Sequence, residues 1–221
     1  MLRTGFALAA LLAVAGCATT TNAVYPRPQS SGIFQPPPGP NIYSTTPRAA
    51  LHSELFVCND WGANIGEIGS RGEAARYTPY IYTPAGPLMR DPTEAACLSS
   101  GYGWRGVAEG GGRMHTGVDL ANPEGGFVFA AGDGWVRFAD WRGGYGNVLE
   151  IDHGHGVRTL YAHLSEIDPN LRPGVFVAAG TPVARMGATG NATGVHLHYE
   201  VNVDGLQVDP LAYGTEAPPV L

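Results

Sequence analysis

The sequence predicts an all-β fold, and two observations support that prediction. The chain has 221 residues with 32 glycines and 18 prolines, which favours many turns and loops over long helices. Its second half also alternates short β-prone runs with glycine-rich turns, the spacing typical of an all-β domain. No coiled-coil pattern and no internal repeat competes with this prediction. The predicted strands are Phe127–Ala131, Trp135–Ala139, Asn147–Asp152, Val157–His163, Pro182–Met186 and His196–Val203.

The N-terminus has the layout of a secretory signal peptide. Arg3 precedes an apolar stretch, Phe6–Val14, that is too short to cross a bilayer comfortably. The ending Val14-Ala15-Gly16-Cys17 resembles the lipobox of bacterial lipoproteins, in which the cysteine becomes the lipidated N-terminus. We therefore predict a signal peptide over residues 1–16 and lipidation of Cys17; a plain signal peptide with an incidental cysteine is the alternative. Because Ala18 follows the cysteine, the predicted location is the cell envelope, at the periplasmic face of the outer membrane.

Three further segments flank or precede the β-rich region. Residues 17–47 are rich in Thr, Ser, Pro and Gly, which predicts a disordered tether. Residues 48–100 form an N-terminal extension of unclear role, without a motif that carries chemistry. Within it, Leu51–Val57 predicts a strand or a short helix, and Asp91-Pro92 predicts the start of a helix, with an N-cap followed by proline. Residues 214–221 are a C-terminal tail.

The cysteines bear on disulfide formation, and the net charge bears on nucleic-acid binding. Apart from Cys17, the chain has Cys58 and Cys97, an even pair in a compartment that permits disulfides. A Cys58–Cys97 bridge is therefore our hypothesis, and two buried free thiols are the alternative. The formal net charge of −6, with no basic stripe, argues against nucleic-acid binding.

Two histidines in the last predicted strand point to chemistry. Side chains i and i+2 of a strand share a face, so His196 and His198 project together while Leu197 faces the other way. Such a pair can bind a metal, or one ring can bind while the other works beside it. Alone, the pattern is a weak signal, because two partly exposed histidines are the commoner outcome.

A second motif completes a set of metal ligands. His115 and Asp119 lie four residues apart around Gly117, and imidazole with carboxylate is a ligand mixture that suits zinc. Together with one of the two strand histidines they make three protein ligands, which leaves a fourth position for water as in catalytic zinc sites. His163 closes another β-prone run and is not needed for the metal, so it is available for proton transfer.

These motifs, in order, resemble the lysostaphin-type (LytM-type) zinc peptidases. The resemblance covers about residues 101–213. It implies a compact antiparallel β-sheet core of the duplicated-hybrid-motif type with a groove between loops, and one Zn²⁺ per domain. It also implies that His115, Asp119 and His198 ligate the zinc and that His163 and His196 are catalytic, without deciding which is the principal base. The matching landmarks also include Gly132-Asp-Gly-Trp-Val136, Gly146-Asn-Val148, Ile151-Asp-His-Gly154, Tyr161-Ala-His-Leu164, Gly187-Ala-Thr-Gly-Asn191 and Val208-Asp-Pro-Leu211.

The resemblance implies one of two functions. The first is a zinc metalloendopeptidase that hydrolyses stem-peptide cross-links of bacterial peptidoglycan. The second is a regulator that cuts nothing and activates a cell-wall amidase, as some domains of this type do after losing ligands. All five metal and catalytic positions are filled in this sequence, which favours the enzyme.

Four other residues have open roles. Tyr102 and Tyr145 could each reach a groove and stabilise an oxyanion, and no motif decides between them. Glu200 shares a strand face with His198, so it either orients that ligand or forms a surface salt bridge. His153, beside a glycine turn, is expected to be structural.

Overall fold

The computed structural model describes Leu51 and residues 54–58, 74–105 and 112–216, and this part of the chain confirms the all-β prediction. Its one helical element is a 3₁₀ turn at Gly143–Tyr145. In the described ranges no helix has the length and apolar character that a membrane crossing needs. The strands are β1 (Glu54–Phe56), β2 (Ala74–Arg76), β3 (Tyr80–Thr83), β4 (Gly86–Met89), β5 (Cys97–Ser100), β6 (Gly103–Arg105), β7 (Arg113–His115), β8 (Val118–Ala121), β9 (Phe127–Phe129), β10 (Gly134–Trp141), β11 (Asn147–Gly154), β12 (Val157–Leu164), β13 (Glu166–Ile167), β14 (Phe176–Val177), β15 (Pro182–Arg185), β16 (His196–Val203) and β17 (Leu206–Val208).

Several predicted features lie outside the described residues. These are the signal peptide (residues 1–16), the lipidated Cys17, the tether (residues 17–47) and the end of the tail after residue 216.

One eight-stranded sheet organises the domain. Its order is β14-β10-β11-β12-β16-β8-β5, with β17 paired to β16, and all of these pairings are antiparallel. A three-stranded antiparallel sheet, β13-β15-β9, accompanies it, and β1-β2, β3-β4 and β6-β7 form two-stranded pairs. The sheet brings β8 next to β16, although long stretches of chain separate these strands.

The main core lies on one face of the large sheet. Leu149, Tyr161 and Tyr199 from that sheet join Val128 and Val183 from the three-stranded sheet in one buried cluster. Fully burying side chains of this size contributes roughly 1.5–3 kcal/mol each. The cluster therefore fixes the two sheets against each other.

Strand alternation determines what the opposite face carries. Along β16, Leu197, Tyr199 and Val201 are fully buried in the main core. The alternate residues, from His196 to Asn202, consequently project from the other face, as the two-residue period of a strand requires. On that face the apolar side chains of Val148, Leu160 and Ala162 form a second, small buried cluster.

The predicted helix at Asp91-Pro92 is wrong. The Asp91 carboxylate accepts hydrogen bonds from the Thr93 backbone N–H (3.1 Å) and hydroxyl (2.6 Å), which closes a local turn instead of capping a helix. The residues that follow enter the large sheet, where β5 pairs with β8. Sheet pairing thus overrides a weak local helix signal.

The described part of the extension packs into the same core as the rest of the domain. Ile81 and Leu88 of the β3–β4 hairpin and Leu98 of β5 belong to the main buried cluster. A disulfide with an S–S distance of 1.97 Å joins Cys58 to Cys97. These contacts make the extension an integral layer of the domain.

Arg90 links this extension to the C-terminal end of the domain. Its side chain is only 1% exposed. It donates hydrogen bonds to the carbonyls of Thr78 (2.8 Å) and Tyr80 (2.9 Å), and others to the carbonyls of Pro210 and Tyr213. A buried cation is tolerated because several carbonyl dipoles replace its water.

Candidate metal centre

The centre is built where β7, β8 and β16 meet. His115 ends β7, Asp119 lies in β8, and His198 of β16 is the direct register partner of Asp119. Gly117 allows the tight path between β7 and β8, since a Cβ there would lie 2.3 Å from the Tyr199 carbonyl oxygen. Only glycine fits this approach, so the turn holds the His115 and Asp119 side chains beside β16.

Three donor atoms converge at this point. His115 Nε2 lies 3.0 Å from Asp119 Oδ1 and 3.0 Å from His198 Nδ1, and His198 Nδ1 lies 2.8 Å from Asp119 Oδ1. His115 and His198 are 8% and 5% exposed. Within the described residues, these three side chains are the group that could hold a metal ion.

This donor set fits a zinc ion. Two ligands of a tetrahedral zinc with bonds of about 2.0–2.1 Å lie roughly 3.3 Å apart, close to the edges of the observed triangle. The free corner of such a tetrahedron would be available to a water or substrate atom.

Hydrogen bonds fix which nitrogen each ring presents. A carbonyl oxygen can only accept, so His115 Nδ1–H donates to the Gly101 carbonyl (2.5 Å) and Nε2 carries the lone pair. His198 donates through Nε2–H to Glu200 Oε1 (3.0 Å), which presents Nδ1 to the centre. Ligating histidines are oriented in this way in metal sites.

The electrostatics of the site favour a cation. Burial raises the pKa of Asp119, but the close contacts with the His115 and His198 rings outweigh burial and hold the pKa well below its usual range. Burial lowers the pKa of His198, but its bonds to Asp119 and Glu200 prevail and raise that pKa to about 9. The two carboxylates therefore stabilise positive charge at the point where an ion would sit.

Glu200 contacts a predicted ligand directly. Its side chain is 5% exposed, and one oxygen, Oε1, accepts bonds from His198, from Thr116 Oγ1 (2.5 Å) and from Tyr145 Oη (2.9 Å). Burial raises the pKa of Glu200, but the bonds from His198 and Thr116 lower it overall, so the carboxylate stays ionised near neutral pH. Glu200 is therefore buried against the His198 ring, which favours the alternative in which it orients this side chain over a surface salt bridge.

Arg105 is a residue of this site that the sequence did not reveal. Its Nη2 lies 3.1 Å from Asp119 Oδ2, the carboxylate oxygen that points away from the donor triangle. The same nitrogen donates to Ser100 Oγ. A single arginine in a short strand carries no sequence signal, because only the fold brings β6 to Asp119.

The two predicted catalytic histidines lie beside the donor triangle. The ring centroids of His163 and His196 are 4.8 Å apart, and those of His163 and His198 are 5.9 Å apart. His196 Nε2 lies 3.8 Å from Asp119 Oδ1. His163 adopts a left-handed backbone with φ of 59°, a conformation that is costly outside glycine and clusters at functional sites.

The Nδ1–H group of each of these rings forms a hydrogen bond with a backbone carbonyl. His163 Nδ1–H donates to the Thr189 carbonyl (2.8 Å), and His196 Nδ1–H donates to the Gly194 carbonyl (2.9 Å). Burial is the main reason that the pKa of His163 is lowered to about 4, because the bond to Thr189 offsets it only in part. His163 is therefore neutral near pH 7 and has a lone pair on Nε2.

Of the other residues singled out from the sequence, Tyr145 adjoins the centre, whereas Tyr102 and His153 lie elsewhere. Tyr102 Oη donates to the Gln207 carbonyl (2.9 Å) at the β17 edge, whereas Tyr145 reaches Glu200. His153 bridges the Asp133 carbonyl and the Thr159 hydroxyl, both at 2.8 Å, in the way a structural histidine does.

The fold and this centre together define a β-sheet domain of the metallopeptidase class. The model of peptidase family M23 matches residues 113–210, so this part of the chain is an M23 domain. The resemblance to the lysostaphin-type peptidases is thereby confirmed.

Relatives of known name share this domain. The chain is 42% identical over 109 residues to "DD-carboxypeptidase/endopeptidase Mpg" of Neisseria meningitidis, which is 48% of this chain and 24% of the relative. It is 40% identical over 97 residues to "Peptidoglycan DD-endopeptidase ShyB" of Vibrio cholerae, which is 44% of this chain and 22% of the relative. The matched region thus spans about a quarter of the length of these relatives.

A solved structure has the same architecture. The crystal structure of a zinc-containing peptidase from Vibrio cholerae matches with a TM-score of 0.51 and 32% sequence identity. The match covers 65% of this chain and 44% of that one.

Proposed function

We propose that this chain is a zinc-dependent endopeptidase that hydrolyses stem-peptide cross-links of bacterial peptidoglycan. The observation that carries the proposal is the triangle of donor atoms from His115, Asp119 and His198, with two further histidines beside it. Two printed names support the substrate class: the Neisseria relative is a DD-carboxypeptidase/endopeptidase, and the Vibrio relative is a peptidoglycan DD-endopeptidase.

In this proposal His115, Asp119 and His198 hold the ion. When bound, zinc lowers the pKa of a water molecule to about 7 and places positive charge beside the carbonyl oxygen of the substrate. Glu200 orients the His198 ring through a hydrogen bond to Nε2. Arg105 contacts Oδ2 of Asp119, the carboxylate oxygen that points away from the donor triangle.

His163 and His196 transfer the protons. Because Nδ1 of each ring donates to a carbonyl, Nε2 is the atom that accepts a proton from the attacking water. The water oxygen then bonds to the peptide carbon, the C–N bond breaks, and the proton passes to the leaving amine. A positioned base of this kind contributes typically about 10²–10⁴-fold in rate.

The proposed location follows from the N-terminal sequence. A lipid on Cys17 and the tether of residues 17–47 would hold the domain at the periplasmic face of the outer membrane, next to the proposed substrate. Replacing Cys17 with serine should move the protein from the membrane fraction to the soluble fraction. A Cys17→Ser protein that stays with the membrane would exclude the anchor.

The decisive experiment digests intact sacculi with the purified full-length chain. Chromatography of the muropeptides should show cross-linked dimers falling and monomers rising, and metal analysis should find one zinc per chain. His163→Asn, chosen because asparagine tolerates the left-handed backbone, and His196→Ala should keep zinc and lose about 100-fold or more in rate. Asp119→Ala should lose zinc.

The control is His155→Asn, since His155 is exposed in a turn away from the centre. It should behave as the unaltered protein. If dimers remain uncut while an added amidase becomes faster, the chain is an amidase activator and the endopeptidase proposal fails.

A further inference from the structure

The sheet face that carries the metal centre continues into a second concavity, which we call the arginine pocket. Its volume is about 410 Å³, which suits one amino-acid residue and its neighbours better than a whole macromolecule. None of its arginines takes part in the proposed hydrolysis. The arginine pocket is lined by Arg137, Arg142, Arg158, Glu150, Glu200 and Asn202, among others.

Strand register places the arginine pocket next to the metal centre. On β12 and β16, Ala162 pairs with His198, and Arg158 pairs with Asn202. Four residues along a strand, from His198 to Asn202, span about 13 Å. Glu200 lies between them and contributes to both sites. An extended peptide cut at the metal centre would reach the pocket with a group three or four residues away, at about 3.3–3.6 Å per residue.

Two of the arginines are held in place by a carboxylate. Arg137 Nη1 and Arg142 Nη2 lie 2.5 and 2.9 Å from the two oxygens of Glu150, whose side chain is 8% exposed. Burial raises the pKa of Glu150, but the bonds from Arg142 and Arg137 prevail and lower it, so Glu150 is ionised. The Arg142 guanidinium also lies 4.2 Å from the centre of the Phe138 ring. Both side chains are therefore preorganised and still keep unused N–H groups.

The Arg158 side chain is fixed by weaker contacts than those of Arg137 and Arg142. Its Nε lies 3.7 Å from Asp152 Oδ2, beyond hydrogen-bond distance, and this buried nitrogen has no hydrogen-bond partner among the described residues. Leaving a buried donor unsatisfied costs about 1–3 kcal/mol. Of the charged side chains that line the pocket, three are arginines and two, Glu150 and Glu200, are carboxylates. The lining therefore carries one more positive than negative charge, and Nε of Arg158 lacks a hydrogen-bond partner among the described residues.

We propose that the arginine pocket binds a free carboxylate of the peptide substrate, three or four residues from the bond cut at the metal centre. The inference rests on the proposed function, which supplies the peptide. A guanidinium presents paired N–H groups that match the two oxygens of a carboxylate. The pocket is thus a specificity site that selects acidic over amidated peptides.

The test compares two cross-linked peptides that differ only in whether their free carboxylates are amidated. The full-length protein should cut the acidic peptide with a KM about tenfold lower and a similar kcat. Arg158→Gln should remove that preference by raising KM for the acidic peptide alone. Arg158→Lys, which keeps the charge, should recover part of it. Peptides amidated at a single position would identify the carboxylate.

The matched control is Arg172→Gln, because Arg172 is exposed and lies outside the arginine pocket. It should keep the preference, and unfolding curves should show that all variants are folded. If the unaltered protein cuts both peptides equally and Arg158→Gln has no effect, the pocket inference is wrong. The proposed endopeptidase function would still stand.

Calorimetry on His196→Ala separates the two proposals. This variant should bind the acidic peptide more tightly than the amidated one, and adding Arg158→Gln should abolish the difference. If no peptide is cut by the unaltered protein but this carboxylate-dependent binding is found, the proposed function fails and the pocket stands. If binding is the same for both peptides, the pocket inference is wrong whether or not hydrolysis occurs.

Discussion

At the scale of single residues, Glu200 connects the metal centre to its surroundings. One oxygen accepts bonds from His198, Thr116 and Tyr145, so this carboxylate sets the tautomer of a ligand and is itself held by two hydroxyls. Its negative charge also adds to the basicity of the His198 ring. Partners of this kind determine how strongly a histidine binds its metal.

We therefore expect Glu200→Gln to weaken zinc binding by about 10–100-fold. The amide keeps the shape of the side chain but removes the charge that polarises His198. Competition with a chromogenic chelator measures the change in affinity. Glu166→Gln, at an exposed position of β13, is the control and should bind zinc normally. Unchanged affinity in Glu200→Gln would mean that Glu200 only positions Thr116 and Tyr145.

At the scale of secondary-structure elements, the β3–β4 hairpin and the C-terminal turn depend on each other. The buried guanidinium of Arg90 bonds to carbonyls from both segments, and the Tyr82 N–H donates to the Gly214 carbonyl (2.8 Å). The carbonyl groups around the cation take the place of its hydrating water. Arg90 thus fastens the extension to the end of the domain.

Arg90→Met should destabilise the protein by about 3 kcal/mol. Methionine fills much of the volume but donates no hydrogen bond, so several buried carbonyls lose their partner. Chemical unfolding gives the free energy of unfolding, and the exposed Arg172→Met is the comparison. Equal unfolding free energies in the two variants would show that packing alone holds the extension.

At the scale of the whole molecule, the metal centre joins separate parts of the chain. Its ligands come from β7, β8 and β16, and His115 and His198 are 83 residues apart in sequence. An ion bound there cross-links the folded state and has no equivalent site in the unfolded chain. Under the proposed function, zinc binding and folding would therefore be coupled.

Removing zinc with a chelator should lower the melting temperature, and adding it back should restore that temperature. At free zinc one hundred times its dissociation constant, the stabilisation is about 2.7 kcal/mol. Scanning calorimetry at several zinc concentrations measures it. Asp119→Ala should melt at one temperature regardless of zinc; a zinc-dependent shift in that variant would place the ion elsewhere.

Local patterns predicted much of this architecture. The run His196–Val203 matches β16 residue for residue, and the alternation within it places Leu197 in the core and His198 on the opposite face. Glycine turns delimited β10, β11 and β12 to within a few residues. These features depend on neighbours in sequence, so the sequence alone reveals them.

Other features depend on distant parts of the chain. The pairing of β5 with β8 overrides the apparent helix start at Asp91, and the burial of Arg90 requires carbonyls about 120 residues away. Arg105 reaches Asp119 only because β6 lies beside the centre. Such contacts leave no periodic pattern, and a single sequence therefore cannot indicate them.

The order of the three candidate metal ligands along the chain has a consequence during synthesis. A chain that has emerged only as far as β12 already contains His115 and Asp119 but lacks His198, so it cannot close the donor triangle. Polypeptides that end before β16 would lack the complete donor set. Under the proposed function, hydrolysis would therefore require synthesis of the chain through β16.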